Sequence, residues 1–403
     1  MKTGAPRLAV VLSHPTQYYS PWFRWLAART PLHLRVFYLW DFGVAARTDR
    51  EFGRTVRWDV DLLTGYESEF VPNVARDPGT HRFLGLRNPD LGPRLAAWRP
   101  DAVLIFGYAW LSPLRALFWA RRRGSPALFR GDSHFLSRRP PGPIRGLPFR
   151  WIYRRFSAVT YVGQANRRYF EALGVPEQRL FFAPHAVDAA RFDPEDGAVQ
   201  EAAARVRREL GLPERARIAL FAGKLVPIKA PRLLLDAFLD SAPADAALVF
   251  LGEGEEKPLL ESAARARPGA PVRFLPFANQ SEMPSRYLAA DLLVLPSRSE
   301  SWGLAVNEAM HMGLPALVSD HVGCHEDLVS PGQTGWVFRT GERADLARAL
   351  REAFGELARP GRREALREAV RRRIQNYTYA QASAGLLAAL ESTAPRNRPP
   401  LAA

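Results

Sequence analysis

The feature that most constrains the fold of this chain is a repeated alternation of short apolar runs with longer helical patterns. Such runs are typical of parallel strands buried on both faces, and the helical patterns are typical of the helices that cover such a sheet. The alternation occurs twice, and 403 residues exceed what one hydrophobic core normally holds. We therefore predict an α/β protein with two doubly wound, Rossmann-like parallel-sheet domains. The predicted strands cover residues 7–13, 33–39, 102–106, 126–130, 158–162, 179–183, 217–222, 246–251, 272–275, 291–296 and 315–319.

A turn rich in proline and aspartate near residues 183–194 fits a crossing between two domains. We predict a first domain over residues 1–187 and a second over 188–374. Residues 375–391 are predicted to form a separate C-terminal helix. Residues 392–403 have no pattern that could bury a core and are predicted to be a disordered tail.

The chain has one cysteine, so no internal disulfide is expected, and a reducing compartment, the cytoplasm, is the simpler expectation. No run of eighteen or more apolar residues occurs, so no segment is expected to span a membrane.

The net charge of +15 is unevenly distributed. Only four of the 56 basic residues are lysines, and a codon bias toward arginine explains the high pI. Residues 115–155, however, hold eleven arginines against one acid, together with several aromatic residues. Arginine beside aromatic rings suits an anionic membrane interface or an anionic acceptor, and a solvated basic surface is the alternative. No nucleic-acid module is present, so we expect no nucleic-acid partner.

Two of the four lysines, Lys224 and Lys229, flank a loop between a predicted strand and a helix, just after Gly223. Two ammonium groups beside a helix amino-terminus suit a diphosphate, whose charge must be neutralised as a leaving group departs. A pair of solubilising charges is the alternative. A second strand, loop and helix follow at residues 291–312, with Glu300 in the loop and Glu308 in the helix. In open parallel sheets, ligands bind at such loops.

These motifs resemble the donor half of the retaining glycosyltransferases of family 4. The resemblance rests on residues 223–229, 296–310, 313–315, 318–320 and 332–335, and more loosely on 161–170 and 183–188. It implies the GT-B architecture, in which two Rossmann-like domains face each other and a C-terminal helix crosses back to the first. The implied activity is transfer of a sugar from a nucleotide-diphosphate sugar to an acceptor hydroxyl of a glycan, a lipid-linked acceptor or another anionic acceptor.

The resemblance also implies roles for individual residues. Lys224 and Lys229 would bind the donor diphosphate near Gly223, and Glu300 would hold sugar hydroxyls near the reacting carbon. Glu308 would accept hydrogen bonds from the ribose hydroxyls. The backbone N–H groups that would bind sugar or phosphate are those around Trp302, Gly303 and Leu304. Configuration would be retained by front-face attack, with no metal and no cofactor beyond the nucleotide sugar as co-substrate.

The first domain departs from the family pattern. The loop after the first strand contains no glycine, and we predict that its His14, Gln17 and Tyr18 meet the acceptor or a phosphate. A helix cap with packed aromatic residues is the alternative for this loop.

In a later segment, Arg130 stands where the family has a histidine, which makes it a predicted substrate-binding residue. Asp132 and His134 follow within reach of that position and are predicted catalytic residues.

Cys324 and His325 lie in a cluster that lacks the ligand spacing of a zinc site, so no metal site is predicted. Two other functions remain open. A nucleotide-sugar hydrolase or epimerase of the same fold would share the lysine and glutamate residues, and a non-catalytic nucleotide-binding scaffold would not need Glu300.

Overall fold

The computed structural model of the chain describes residues 5–44, 47–49, 54–56, 58–213, 215–267, 269 and 271–394. Within these residues the chain forms two separate parallel sheets. The first sheet has seven strands in the order β5-β2-β1-β6-β7-β8-β9. Their bounds are Arg7–Leu12 for β1, His33–Tyr38 for β2, Glu67–Phe70 for β5, Ala102–Phe106 for β6, Ala127–Arg130 for β7, Ala158–Tyr161 for β8 and Leu180–Phe182 for β9. A short antiparallel pair, β3 (Arg47–Asp49) and β4 (Arg54–Val56), stands outside this sheet.

The second sheet has six strands in the order β12-β11-β10-β13-β14-β15. Their bounds are Arg217–Ala222 for β10, Ala246–Leu251 for β11, Val272–Leu275 for β12, Leu292–Leu295 for β13, Ala316–Ser319 for β14 and Gly335–Phe338 for β15.

Helices connect the strands of both sheets. In chain order they are α1 (Tyr19–Arg29), α2 (Leu91–Trp98), α3 (Leu111–Arg123), α4 (Pro143–Tyr153), α5 (Gln164–Ala172), α6 (Gly197–Glu209), α7 (Pro231–Ser241), α8 (Lys257–Arg265), α9 (Met283–Leu288), α10 (Leu304–His311), α11 (His325–Leu328), α12 (Arg343–Ala358), α13 (Arg362–Ile374) and α14 (Tyr379–Thr393).

Each sheet is buried on both faces because alternate residues of a strand point to opposite sides. In β10, Ile218 and Leu220 enter one hydrophobic cluster, whereas Ala219 and Phe221 enter another. The strands of the first sheet divide between two clusters in the same way. This arrangement explains why the strands read as unbroken apolar runs, and the predicted α/β architecture of two Rossmann-like domains is confirmed.

Helix α14 packs against strands β8 and β9 of the first sheet, as the GT-B resemblance implies. Gly385 lets the helix approach closely, because a Cβ there would lie 1.8 Å from the carbonyl oxygen of Phe182. The helix extends to Thr393, where the hydroxyls of Ser392 and Thr393 donate to carbonyls of the preceding turn. It therefore continues two residues into the predicted tail, and residues 395–403 lie outside the described part of the chain. The predicted domain boundaries at residues 187 and 374 stay predictions.

Candidate active site

The second sheet reverses its strand order between β10 and β13, which are neighbours in space. Ligands bind outside the carboxyl ends of parallel strands at such a reversal. The connection after β10 carries Lys224 and Lys229, and the loop after β13 carries Glu300. The topology therefore brings together two motifs that lie about seventy residues apart in sequence.

Lys229 Nζ forms an ion pair with Glu300 Oε2. The two side chains are 23% and 17% exposed, so the pair is largely shielded from water. The next residue, Ala230, has a φ of +51°, in the left-handed region that costs a residue with a side chain about 1–2 kcal/mol. Strain of this kind concentrates at functional sites, and here it lies at the start of helix α7.

Close backbone packing shapes the loop that carries the lysines. Gly223 follows β10 with a φ of +154°, and Gly252 follows β11 with a φ of +142°. A Cβ on Gly252 would lie 2.0 Å from the Gly223 carbonyl oxygen, and one on Gly254 would lie 2.3 Å from the carbonyl oxygen of Leu225. Glycine at positions 252 and 254 is thus required for the two loops to touch through their backbones.

A cavity of about 230 Å³ lies at the ion pair, and we call it the donor cavity. Helix α10 begins at its edge with Leu304, and the first N–H groups of a helix have no intrahelical acceptor. Gly303 permits this start with a φ of +96°. The cavity is lined by Tyr18, Asp132, Phe221, Ala222, Gly223, Lys229, Leu295, Glu300, Ser301, Trp302, Gly303, Leu304 and Ala305.

Glu308 lies just over one turn into α10 and is only 3% exposed. Tyr287 donates a hydrogen bond of 2.7 Å to its Oε2, while its buried Oε1 has no hydrogen-bond partner among the described residues. Burial raises the pKa of Glu308 to about 7, although the hydroxyls of Tyr287 and Tyr18 and the charge of Arg191 oppose the shift. Oε1 is thus a buried oxygen without a hydrogen bond of good geometry, and the Tyr18 hydroxyl lies near the carboxylate.

The first domain holds the Glu300 loop through His134. His134 Nε2 donates to the carbonyl oxygen of Glu300 at 2.8 Å, while its Nδ1 accepts from the Leu136 N–H at 3.2 Å. These two contacts fix the proton on Nε2, and burial lowers the pKa of His134, so the ring is neutral near pH 7. The hydroxyls of Ser137 and Ser299 add a 3.1 Å hydrogen bond between the same segments.

Asp132 stands where the two domains meet. Ser301 Oγ donates to its Oδ2 at 3.0 Å, and His185 Nε2 lies 3.4 Å from the same oxygen. Desolvation in the cleft would raise the pKa of Asp132, but His185 and the Ser301 hydroxyl hold it below the ordinary carboxyl value. Asp132 is therefore an anion at neutral pH, and 38% of its side chain stays exposed to the cleft.

A larger cavity, of about 910 Å³, lies in the first domain, and we call it the first-domain cavity. Asp132 lines both this cavity and the donor cavity. The other lining residues include the aromatic rings of Tyr19, Phe106, Tyr108, Trp110, Phe129, Phe135, Phe149 and Tyr169, and the arginines Arg130, Arg138, Arg139 and Arg145. Asp132 is thus a wall residue that the two cavities share.

His14 also lines the first-domain cavity. Its ring packs edge-on against Trp40 and Phe42, with ring centroids 5.6 and 5.3 Å away, and Ser13 Oγ lies 3.0 Å from its Nδ1. Burial lowers the pKa of His14 to about 4, so the ring is neutral at physiological pH. Gln17, in the same loop, is buried.

Arg130 is buried, and its two terminal nitrogens donate to the carbonyl oxygens of Ala183 and Pro184 at 2.8 and 3.2 Å. Its guanidinium lies 4.8 Å from the centroid of the Trp22 ring. These contacts tie β7 to the crossing between the domains. Arg130 lines the first-domain cavity, and its buried Nε has no hydrogen-bond partner among the described residues, while its role in substrate binding stays a prediction.

Helix α4 borders the first-domain cavity and exposes an apolar face. Ile144, Leu147 and Trp151, spaced to share one side of the helix, are 81%, 58% and 49% exposed. A cluster of exposed large apolar side chains is typical of a surface that binds a protein, a membrane or a ligand. In the described part of the chain, no helix is long and apolar enough to cross a membrane.

The described residues contain no group of three histidine, cysteine or acidic side chains close enough to hold a metal ion. Cys324 is buried in the hydrophobic core of the second domain, and burial raises the pKa of its thiol.

Three residues of the site were missed at the level of sequence: His185, Tyr287 and Asn307. Tyr287 and His185 contact the predicted residues Glu308 and Asp132 only through the fold, since these partners are 21 and 53 positions away in sequence. Asn307 contacts the predicted residue Trp302, five positions away, and joins it to His185, 122 positions away. A histidine in the crossing between domains was the one available signal for His185.

Comparison with known proteins agrees with the geometry. The family model described as glycosyl transferases group 1 matches residues 203–373. D-inositol 3-phosphate glycosyltransferases are among the relatives: one from Salinispora arenicola is 36% identical over 213 residues, covering 50% of this chain and 47% of the relative. Another, from Nocardia farcinica, is 35% identical and covers 57% and 51%. The matches thus span about half the length of these relatives.

Solved structures resemble the whole fold. The Anabaena protein HepE, crystallised with UDP and glucose, has a TM-score of 0.71 at 17% identity, covering 96% of this chain and 100% of the other. Sucrose-phosphate synthase from Thermosynechococcus elongatus has a TM-score of 0.68 at 18% identity, covering 94% and 97%. At these identities the likeness shows the fold alone.

Proposed function

We propose that this chain, whose residues 203–373 match the family model of the group 1 glycosyl transferases, transfers a sugar from a nucleotide-diphosphate sugar to an acceptor hydroxyl. The observation that carries the proposal is the pairing of Lys229 with Glu300 in a cavity bounded by both domains. A cation for the diphosphate and a carboxylate for the sugar then stand at one reacting position. If Lys229 were only a solubilising surface charge, its ion pair with Glu300 inside a cavity would have no explanation.

Each part of the donor is assigned to different residues: Lys229 and Glu300 line the donor cavity, whereas Lys224 and Glu308 lie outside its lining, in the loop after β10 and in α10. Lys224 and Lys229 neutralise the diphosphate, which is a good leaving group only when its charge is balanced. Glu300 orients the sugar hydroxyls, and it must exchange its contact with Lys229 for one with the sugar. Glu308 accepts from the ribose hydroxyls through its unpartnered Oε1. This division matches the roles that the family resemblance implies.

We propose that the reaction retains anomeric configuration and needs no metal ion. In front-face attack, the departing phosphate oxygen takes the proton of the acceptor hydroxyl, so no enzyme nucleophile is needed. Two lysines supply the positive charge that a divalent ion would otherwise provide. Asp132 lies on the acceptor side of the donor cavity and orients the incoming hydroxyl as a hydrogen-bond acceptor.

The first-domain cavity supports an acceptor that is anionic and partly apolar. Arg138, Arg139 and Arg145 offer cations for a phosphate or carboxylate, and the aromatic walls offer stacking surface for sugar rings or an apolar chain. At about 910 Å³ the cavity is at the upper end of the usual range for small-molecule sites. A lipid-linked glycan with a phosphate group has this chemistry.

We propose further that α4 attaches the protein peripherally to an anionic membrane surface. Its apolar face, formed by Ile144, Leu147 and Trp151, can enter the interface while the arginines of residues 115–155 meet the headgroups. This attachment would bring a lipid-linked acceptor to the first-domain cavity.

Flotation with vesicles of phosphatidylglycerol and phosphatidylcholine tests the membrane proposal. The wild type should float with the anionic vesicles, and a variant with Ile144→Ser, Leu147→Ser and Trp151→Ser should stay in solution. The matched control replaces the exposed apolar residues Val74 and Leu259 with serine and should float like the wild type. Equal flotation of the wild type and the α4 variant would rule out α4 as the attachment.

The two other functions differ in what they require. A hydrolase or epimerase would turn over a nucleotide sugar with no acceptor, and would have no use for a first-domain cavity lined by aromatic residues and arginines. A scaffold would bind nucleotide and keep its role after loss of Glu300. The position of Asp132 in the lining of both cavities favours transfer over hydrolysis and over a scaffold role.

The test is a screen of nucleotide sugars for a rise in melting temperature, because a ligand that binds only the folded protein stabilises it. Each stabilising donor is then incubated with phosphorylated sugars and a lipid extract, and products are analysed by mass spectrometry and NMR. The proposal predicts an acceptor-dependent product with the anomeric configuration of the donor. Turnover that is independent of every acceptor, or an inverted product, would contradict it.

A further inference from the structure

The polar contacts around Asp132 form a closed ring that crosses the cleft twice. Ser301 donates to Asp132, and Asp132 faces the ring of His185. Asn307 Nδ2 donates to the His185 carbonyl oxygen at 3.1 Å, and Trp302 Nε1 donates to Asn307 Oδ1 at 2.8 Å. Trp302 follows Ser301 in sequence, which completes the ring. One carboxylate on the first domain is thus tied to the loop and helix that hold the donor.

His185 is the unusual member of this ring. It lies in the crossing between the domains, is 3% exposed, and has a buried Nε2 with no hydrogen bond of good geometry among the described residues. The Asp132 oxygen at 3.4 Å is just beyond an ordinary hydrogen bond. Two aromatic rings pack against the His185 ring: that of Tyr19 in α1, with a centroid 6.0 Å away, and that of Trp302 in the Glu300 loop, with a centroid 5.7 Å away. A buried nitrogen without a hydrogen bond costs folding free energy, so the position of His185 Nε2 beside a carboxylate indicates a functional role.

We propose that His185 is a positioning residue for Asp132: in the complex with both substrates its Nε2–H closes onto Asp132 Oδ2, which leaves Oδ1 directed at the acceptor hydroxyl. The inference rests on the proposed transferase function and deepens it. Ser301 and His185 both contact Oδ2, so Oδ1 is the oxygen left for a ligand. Hydrogen bonds in apo enzymes are commonly long and tighten on substrate binding.

His185 also favours the ionised form of Asp132, in which either carboxylate oxygen can accept a hydrogen bond from the acceptor hydroxyl, while the departing phosphate takes the hydroxyl proton. The other charged or titratable groups around Asp132 lie on its own segment, on α1 and across the two cavities that it lines. They are Arg130, His134, Tyr18, Tyr19, Lys229, Glu300, His14, Tyr108, Arg138, Arg139, Arg145 and Tyr169. None of them is altered by a substitution of His185. A change in the protonation of Asp132 in a His185 variant therefore reports on this pair.

The tautomer of His185 can be tested without an identified acceptor. Two-bond ¹H–¹⁵N spectra of histidine-labelled protein, assigned with His185→Gln, should show a neutral ring at pH 7 with the proton on Nε2. Asp132→Asn should shift these signals, and Asp345→Asn, at the start of α12 far along the chain, should leave them unchanged. A proton on Nδ1, or signals that Asp132→Asn does not move, would overturn the proposal.

Kinetics with the identified substrates separate this inference from the proposed function. His185→Ala should lower kcat roughly ten- to hundredfold with donor KM unchanged, because the carboxylate is misplaced. Loss of His185 removes an influence that lowers the pKa of Asp132, so the acid limb of the pH profile should move to higher pH. His185→Gln keeps an N–H near the same position and should recover most of the rate.

Failure of the proposed function and failure of the inference about His185 give different kinetic results. If Asp132→Asn turns over at the wild-type rate, the role of Asp132 in the proposed function is wrong. If Asp132→Asn is slow while His185→Ala keeps the wild-type rate and pH profile, only the inference about His185 is wrong. Equal losses in the alanine and glutamine variants, with no movement of the acid limb, would mean that His185 serves folding alone.

Discussion

At the scale of single residues, Glu308 behaves unlike an ordinary glutamate in a helix. An acidic residue in α10 would normally be solvated, but this one is enclosed by Tyr287 and Tyr18 and keeps one oxygen without a partner. Burial of a carboxylate costs stability unless a ligand or another donor compensates. The protein thus holds a weakly compensated charge at the place where a ribose would supply two hydroxyls.

The pH dependence of stability in a Glu308 variant tests whether burial raises the pKa of this carboxyl group. The pKa of Glu308 is raised from 4.5 to about 7, so the folded state binds more protons than the unfolded state between these values, and wild-type stability should fall as pH rises through that window. The effect is up to about 3 kcal/mol. Glu308→Gln should lose this pH dependence, measured as the free energy of unfolding in urea at pH 5 and pH 8. Glu352→Gln, on the exposed side of α12, serves as control, and an unchanged dependence in Glu308→Gln would refute the account.

Glu300 separates sugar chemistry from nucleotide binding. Glu300→Gln removes the charge that pairs with Lys229 and that we propose orients the sugar, so turnover should fall by about a hundredfold. Because Lys229 is then free for the diphosphate, binding of a nucleoside diphosphate should be equal or stronger. Calorimetry and initial rates measure the two quantities. Parallel loss of binding and turnover would show that Glu300 acts mainly by supporting the cavity.

At the scale of elements, the donor cavity depends on two loops that touch through their backbones. Gly252→Ala places a Cβ 2.0 Å from the Gly223 carbonyl oxygen at a φ that favours glycine. The loop that carries the lysines should shift, and nucleoside diphosphate affinity should fall by about tenfold, with about 1–3 kcal/mol lost in stability. Gly197→Ala, at the start of α6 with no atom within 4 Å, should leave both unchanged or raise stability slightly. Unaltered affinity in Gly252→Ala would mean that the loops adjust freely.

The sequence allowed eleven of the sheet strands to be predicted because each is an apolar run. Strand β5, Glu67–Phe70, was not predicted because it lies at an edge of the sheet and its sequence is polar. Strand β15, Gly335–Phe338, was not predicted because it is only four residues long and begins with a glycine. In the site, the lysines and glutamates were visible as motifs. The left-handed Ala230 and the contact of His185 with Asp132 were not, because both arise from how distant segments meet.

At the scale of the whole molecule, the two domains touch closely near the donor cavity. A Cβ on Gly163 of the first domain would lie 2.4 Å from Trp302 Cζ3 and 2.5 Å from Asp327 Oδ2 in the second. The Gln164 N–H donates to Asp327 beside it, at 3.0 Å to Oδ2. This contact sets how the first domain meets the Glu300 loop.

Gly163→Ala should therefore separate catalysis from donor binding. The added methyl pushes the domains apart at Trp302, so turnover should fall by about tenfold or more, whereas a nucleoside diphosphate, held by the second domain, should bind nearly as before. Gly355→Ala, on α12 with no atom within 4 Å, is the matched control. Normal turnover in Gly163→Ala would show that the closed contact is not needed for transfer.

Binding of a nucleoside diphosphate by Lys229 and its loop underlies the proposed function. It can be measured as the melting temperature of the protein with UDP, ADP and GDP, in the wild type, Lys229→Ala and the control Arg265→Ala on the exposed side of α8. At least one of these diphosphates should stabilise the wild type and the control by the same amount and Lys229→Ala far less. Equal stabilisation of Lys229→Ala, or no stabilisation of the wild type by any of the three, would contradict the proposed binding.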